Sequence, residues 1–467
     1  MKEIFHCLIK ILSPVHIGCG EVYEPMSFVV DEAQKQLVVF DPFQFIASLP
    51  PIEKEKLKTI CERGDIASIL ELYKFFRNKP AKGSRVDLCS GFLDHYKKIL
   101  SITPVELKRN QKELNKFAID RTAFLSGAET PFLPGSSVKG SLRTALLNLR
   151  QQNTPVKLDQ REQNDRNASV KLENKLLNYR EINEDPFRLV KVSDFMPAGI
   201  IRRKVIYAVD KKKKPSDESS IYQIMETIMP GSLFWGTISV EDAIGSGIKK
   251  PIKMKEIKDG ARMFYGSEKT RENLELSNAG CSLHNSGDPD AIPLRLGRHS
   301  GAESVTIKGH RSIRIMKLNI KLDHATTFWL ASENKSGQPS INLTPFGWAE
   351  MIEIPESEYE KYRDEPITWP EEVTTTGAIF SADVPDTVCV QAPTVIAIGQ
   401  HWPTASLTWS PGNNTLTAVF EGKKAIVKGK ELVPEALHKK LFEQKKSVNA
   451  DVEVEATGNR YLIVNIK

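Results

Sequence analysis

An α+β fold, with a helical insertion and an added C-terminal β-rich domain, is what the sequence predicts from three observations. Alternating strand-like runs open the chain and return after a polar segment that ends near Asp185. Between them, from Pro42 to about Lys116, apolar residues recur at helical spacing. From about residue 385 the composition shifts to Val, Thr, Ala and Trp in short alternating runs. The expected domains are a core from residues 1–41 and 117–370, a helical insertion over 42–116, and a small β-rich domain over 385–467.

Each element follows from its own residues. Residues 3–12 and 27–40 read as strands, the second being FVVDEAQKQLVVF with a polar turn at its centre, and SPVHIGCGEVYEP is the loop between them. In the insertion, FQFIASL, IASILELYKFF and FLDHYKKIL carry the helical pattern. The stretch PFLPGSSVKGSLRTALLNLR, Pro131 to Arg150, starts as a turn and ends as an amphipathic helix, with Val138, Leu142, Ala145, Leu146 and Leu149 on one stripe. Ser136 or Ser137 is its expected N-cap. Residues 151–185 are polar, and LVKVSDFMP returns to strand. Residues 200–240 read as strand, loop, short helix and strand, with KKKKPSDESS as a basic loop. The segment from Gly247 to Gly287 is polar and helical in part. IPLRLGRHSGAESVTIKGHRSIRI then reads as two glycine-bounded basic loops flanking a strand, and the final domain holds one helix around Pro434 to Gln444.

With 467 residues and 40% hydrophobic content the chain has a sizeable core to bury. The 65 Lys+Arg against 59 Asp+Glu leave a net charge of only +6, so a polyanion partner must be met by local basic patches. Cysteines stand at 7, 19, 61, 89, 281 and 389 with no C-x-x-C pair, which fits reduced thiols in a cytosol. His16 and Cys19 lack further metal ligands at usable spacing, so no zinc site is expected. The opening MKEIFHCLIKILSPVHIG has neither a long apolar run nor a small-residue cleavage site, so a cytoplasmic protein without a membrane span is expected.

Three glycine-bearing basic loops carry the functional signal. In the first, PVHIGCG supplies His16 and Gly18. In the second, Lys139 and Arg143 occupy the first two turns of a helix whose N-terminus repels cations, so the Gly135, Ser136, Ser137 turn asks for an anion such as phosphate. The lysine precedes the second glycine, which excludes a Walker A loop. A solvated helix start with snorkelling side chains is the other reading. The third stretch gathers Arg295, Arg298, His299, Lys308, His310, Arg311 and Arg314 among Gly297, Gly301 and Gly309. Glycines there admit a ligand close to the backbone, and Arg and His planes stack on splayed bases. An exposed basic hairpin is the alternative. None of the loops holds an obvious acid–base pair, and their recurrence suits a phosphodiester chain better than a small substrate.

LSPVHIGCGEVYEPMSFVVD, FLPGSSVKGSLRTAL, LVKVSDF, LRLGRHSGAESVTI and TPFGWAEM, in this order over about residues 1–355, resemble the motifs of the RAMP proteins of type III CRISPR surveillance complexes. The likeness is strongest to the Csm-type subunit that caps the backbone filament. The resemblance implies a ferredoxin-like, RRM-type core with insertions and binding of guide RNA (crRNA) near its 3′ end. Its implied partners are target RNA and neighbouring RAMP subunits, in antiviral defence. It places Gly135, Ser136, Ser137, Lys139 and Arg143 at the guide backbone, and Gly297 to Gly301 in the glycine-rich loop of the family. Target-cleaving subunits of such complexes carry an aspartate in the loop after H-I-G-x-G. Here that loop holds Glu21 and Glu24, and the nearest aspartate, Asp31, lies in the next strand. A non-catalytic subunit without cofactor is therefore expected; the alternative is a Mg-dependent endoribonuclease drawing on Glu21, Glu24, Asp31 or Asp41.

Overall fold

The strand Lys2–Ile11, β1, buries Cys7, Leu8, Ile9 and Ile11 almost in succession, as a strand covered on both faces must. The computed structural model describes residues 2–103, 106, 113–125, 129–214, 221–244, 247–283, 287–315, 319–365, 373–374, 400–410, 415–420, 423–428, 432–444, 447–457 and 460–466. These divide into two units, 1–380 and 381–467.

In the first unit, β1 is followed by β2 (Gly18–Val22), β3 (Phe28–Asp31), β4 (Gln36–Val39), α1 (Pro42–Ser48), α2 (Pro51–Arg63) and α3 (Ile66–Phe76). Next come β5 (Lys82–Leu88), α4 (Phe92–Leu100), β6 (Ile119–Thr122) and α5 (Gly135–Asn153). After them run β7 (Val190–Val192), β8 (Met196–Pro197), β9 (Arg203–Lys212), β10 (Tyr222–Ile228) and β11 (Leu233–Glu241). Then α6 (Met254–Asn278), β12 (Ile292–Arg295), β13 (Thr327–Ser332) and β14 (Trp348–Glu353) complete the main elements.

One antiparallel sheet has the order β8–β11–β1–β14–β12, with β7 also on β11. Helices α5 and α6 share its core. Val138, Leu142, Ala145 and Leu146 are fully buried, as the stripe requires, and pack in one cluster with Ile257, Ala261 and Phe264. Each large side chain so removed from water contributes about 1.5–3 kcal/mol. Gly260 lets the helices approach, since a Cβ there would stand 3.2 Å from the Ala145 carbonyl oxygen. The second sheet has the order β2–β6–β10–β9–β5–β4–β3, with β13 on β9. Its core is rich in aromatics, among them Tyr73, Phe92, Tyr96, Phe117 and Tyr207.

The structure is mixed α and β, and several local expectations change. The 42–116 segment holds α1 to α4 but also β5, inside the second sheet; Ser84, Val86 and Leu88 are buried in alternation, a period of two within a helical block. The loop SPVHIGCGEVYEP contains β2, an edge strand on β6. The expected short helix in 200–240 is instead β10, whose consecutive buried residues Ile224, Met225 and Glu226 hide the period of a strand covered on both faces. The strand expected at ESVTI is a short 3-10 turn, Glu303–Val305, because the Glu303 carboxylate turns inward to Lys213 and the Ala325 N–H.

In the C-terminal unit, β15 (Gln400–Ser410), β16 (Thr415–Phe420), β17 (Lys423–Lys428), β18 (Val448–Thr457) and β19 (Arg460–Ile466) form a closed barrel. A helical segment over residues 435–443 lies between β17 and β18 and buries Leu441 completely. The expected domain start at residue 385 falls outside the described residues. Among the described residues no helix is long and apolar enough to cross a membrane.

Candidate nucleic-acid interface

The loop leaving β1 turns one way at His16 and the other at Gly18. The His16 ring faces inward, 1% exposed, with Nδ1 2.8 Å from the Glu226 carbonyl oxygen. Burial lowers its pKa, against the opposing effect of that carbonyl. The Ile17 N–H donates to Thr122 Oγ1 at 3.1 Å, and the Ala123 N–H donates to the Ile17 carbonyl at 2.7 Å, which ties the loop to β6. Beyond it Gly18, Cys19, Gly20 and Glu21 run exposed along β2.

The loop from Gly297 to Gly301 lands on the same backbone. The Arg298 N–H donates to the His16 carbonyl at 2.8 Å. Gly297 makes this possible: its φ is +76°, and a Cβ would stand 2.3 Å from that oxygen. The exposed Arg298 guanidinium lies 2.8 Å from Asp120 on β6. Two loops far apart in sequence therefore meet beside β6, with Gly18, Arg298 and Gly301 all exposed.

A buried polar network holds this junction from below. Glu226, 1% exposed, accepts from Arg203 Nη1 at 3.3 Å and from the Thr122 N–H at 3.2 Å. Arg203 Nη2 also donates to Ser84 Oγ and the Arg85 carbonyl. Sequence reasoning missed Glu226, Arg203 and Asp120. The one available signal was a glutamate inside the apolar run IMETIM.

The second loop departs from its reading. The residue preceding α5 is Pro134, with no side-chain cap, so neither Ser136 nor Ser137 caps the helix. The aspartate that answers the helix start comes from elsewhere: the Gly135 N–H donates to Asp194 Oδ1 at 2.7 Å. Gly135 itself is buried against Ser193, whose carbonyl oxygen would be 2.5 Å from a Cβ. Lys139 Nζ donates to the Val190 carbonyl at 2.7 Å, and burial lowers its pKa. Arg143 donates to Glu173 at 2.7 Å and pairs with Asp185 at 2.8 Å. Protein groups thus hold the cations for which the sequence supplied no partner. Ser136 remains exposed and Ser137 half-buried.

The third stretch also divides. Arg295 is not a surface residue: its guanidinium is buried and bidentate to Glu272, at 2.5 and 2.8 Å. Arg311 is bound to Glu268 at 2.6 Å and to the Glu303 carbonyl. His310 Nε2 sits 2.8 Å from the Val156 carbonyl oxygen. Lys308 and Arg314 are exposed, Arg314 donating to Asn319. His299 has no free stacking face in the expected sense, because its ring is stacked on Trp329 at 4.6 Å and leans on Phe346.

Burial, with the nearby Arg298 and His16 charges adding to it, lowers the His299 pKa from 6.5 to about 3. The unfolded chain then binds more protons between these values, so stability must fall as pH drops through that window. Urea midpoints at about pH 7 and about pH 5 check this, and His299→Gln should shrink the difference between them.

The candidate acids have diverse surroundings. Glu21 is exposed, 3.9 Å from Arg121, and Glu24 is exposed. Asp31 accepts from the Gln34 N–H in the β3–β4 turn and pairs with Arg85 at 3.4 Å, while Asp41 caps α1 through the Gln44 N–H. Those two have structural duties. Among the described residues no group of three His, Cys, Asp or Glu side chains is placed to hold a metal ion.

A family model described as the RAMP superfamily matches residues 8–310, about two thirds of the sequence and both loops of this junction. The chain belongs to the RAMP superfamily. A curated relative, the CRISPR system Cms protein Csm5 of Methanocaldococcus jannaschii, is 25% identical over 189 residues. That match covers 40% of this RAMP chain and 41% of the relative. A chain in the cryo-EM structure of a Csm–crRNA–target RNA ternary complex of a type III-A CRISPR-Cas system shares the fold, with a TM-score of 0.50 at 18% identity. It is covered completely by 75% of this chain. The crystal structure of Csm5 from T. onnurineus aligns over 73% of this chain and 99% of its own, with a TM-score of 0.43 at 15% identity.

Proposed function

We propose that this RAMP chain is an RNA-binding structural subunit of a type III CRISPR effector complex. It holds the guide-RNA backbone and caps the subunit filament near the 3′ end of the guide, in the cytoplasm and beside other RAMP subunits. The observation that carries this reading is the docking of the Gly297–Gly301 loop on the His16 carbonyl, which exposes Gly18, Arg298 and Gly301 at one junction. Exposed backbone and a single guanidinium suit phosphate, which needs donors and charge but carries no sequence information. Ser136, Lys308 and Arg314 are further exposed polar residues of the basic loops, and Lys139 and Arg143, like Arg298 with Asp120, reach RNA only by exchanging their present partners.

The first sheet supports the finer fold reading. Strand β1, helix α5, β7 with β8, β11, helix α6 and the β12–β14 pair follow one another in chain order. They lie side by side as fourth, first, third and second strand, the arrangement of a ferredoxin-like core. The likeness to Csm5 supports the place in the complex.

The experiment is co-expression with the other subunits of a type III complex, followed by sequencing of co-purified RNA and assay of target cleavage. The expected result is bound guide RNA and an unchanged set of target fragments when Glu21, Glu24 and Asp31 are each replaced by alanine. Loss of one specific cut with assembly intact would instead promote the endoribonuclease reading, in which an ionised carboxylate holds Mg beside the scissile phosphate.

A further inference from the structure

The C-terminal barrel has a connectivity of its own. β15 pairs with β16, β16 with β17, β19 with β18, and β18 closes on β15, all antiparallel, while β17 and β19 run parallel. The third and fifth strands thus form the parallel seam, and the helical segment lies between the third and fourth. This is the wiring of an OB-fold, in which the second and third strands offer an outer face to oligonucleotides.

Here that face is the β16–β17 hairpin. Leu416, Ala418 and Ala425 point into the barrel and are fully buried. Alternation sends Thr417, Val419, Lys424 and Ile426 outward, in the pairs Thr417–Ile426 and Val419–Lys424. Ile426 is 38% exposed, an apolar side chain left in water beside an exposed lysine. At the end of the two strands, exposed Lys423 stands 5.8 Å from the Tyr461 ring, and the half-buried rings of Tyr461 and Phe420 flank Trp402 and pack on the barrel core.

Charge is separated around the barrel. Lys423 and Lys424 lie on β17, whereas Asp451 and Glu453 lie on β18, which does not border it. An anion is drawn to one wall and repelled by the other. Lysines for phosphates beside apolar side chains for bases suit a single strand, which offers both backbone charge and base faces.

We infer that the barrel is a second nucleic-acid site, which takes single-stranded RNA on the β16–β17 face with phosphates at Lys423 and Lys424 and bases against Val419 and Ile426. It is separate from the junction of the first unit and does not rest on it.

The test is ultraviolet cross-linking of the full chain to oligouridine, with the cross-linked peptides mapped. Cross-links are expected within residues 415–420 and 423–428. Lys423→Glu with Lys424→Glu should abolish them while those in the first unit persist, and Lys423→Arg with Lys424→Arg should retain them. Loss of two phosphate contacts also lowers the salt slope of the barrel's affinity by about 1.4. Cross-links confined to the first unit, or barrel cross-links that survive charge reversal, would overturn the inference.

Discussion

Replacing Arg295 with alanine is expected to cost the first unit about 3–5 kcal/mol of stability, the usual effect of breaking a buried ion pair from one side. The guanidinium donates to both oxygens of Glu272 and lies 4.4 Å over the Trp348 ring, and Trp348 Nε1 donates to the same carboxylate at 2.7 Å. Without Arg295 the Glu272 charge stays buried with the Trp348 indole left to answer it. Urea denaturation followed by tryptophan fluorescence measures the loss. Arg295→Met combined with Glu272→Leu removes both charges and should lie much closer to the parent protein. An RNA contact on the surface behaves oppositely: its alanine variant loses RNA and keeps its stability.

Gly297→Ala carries the second large effect. Its φ of +76° already strains a side chain by about 1–2 kcal/mol, and the new Cβ meets the His16 carbonyl oxygen at 2.3 Å. The loop must lift, which breaks the Arg298 N–H bond to that oxygen. Gly301 is the internal control. Its φ is +82°, yet the nearest atom to a Cβ is 3.8 Å away, so Gly301→Ala adds the strain without the clash. RNA affinity of the Gly297 variant should fall about tenfold below that of the Gly301 variant, ~1.4 kcal/mol for the lost docking contact. Equal affinities would mean that docking of the loop is irrelevant to RNA.

What the sequence made legible was whatever has a short period or a local cause. The α5 stripe was readable because four of its five positions are fully buried. The glycines at 297 and 301 were readable as points of backbone freedom, and both have positive φ. Partners brought by the fold were not readable. Lys139 and Arg143 looked short of an anion because Val190, Glu173 and Asp185 lie well downstream, and the Gly135 turn looked open because Asp194 is further still. His299 looked available for stacking because nothing local announces Trp329 beneath it. A basic residue counts as an RNA ligand only after its protein partners are known: Arg298 also has one, Asp120, and what sets it apart from Arg143 is a guanidinium about twice as exposed at the junction.

The central claim is therefore tested most directly at Arg298, by fluorescence-anisotropy titration of guide RNA against salt with the full chain and its Arg298→Ala variant. The variant should bind unrelated RNA sequences uniformly more weakly, and its slope of log affinity against log salt should be about 0.7 smaller, the mark of one lost phosphate contact on a single strand. Unchanged affinity and slope would contradict the claim that the junction of the two loops and β6 holds RNA.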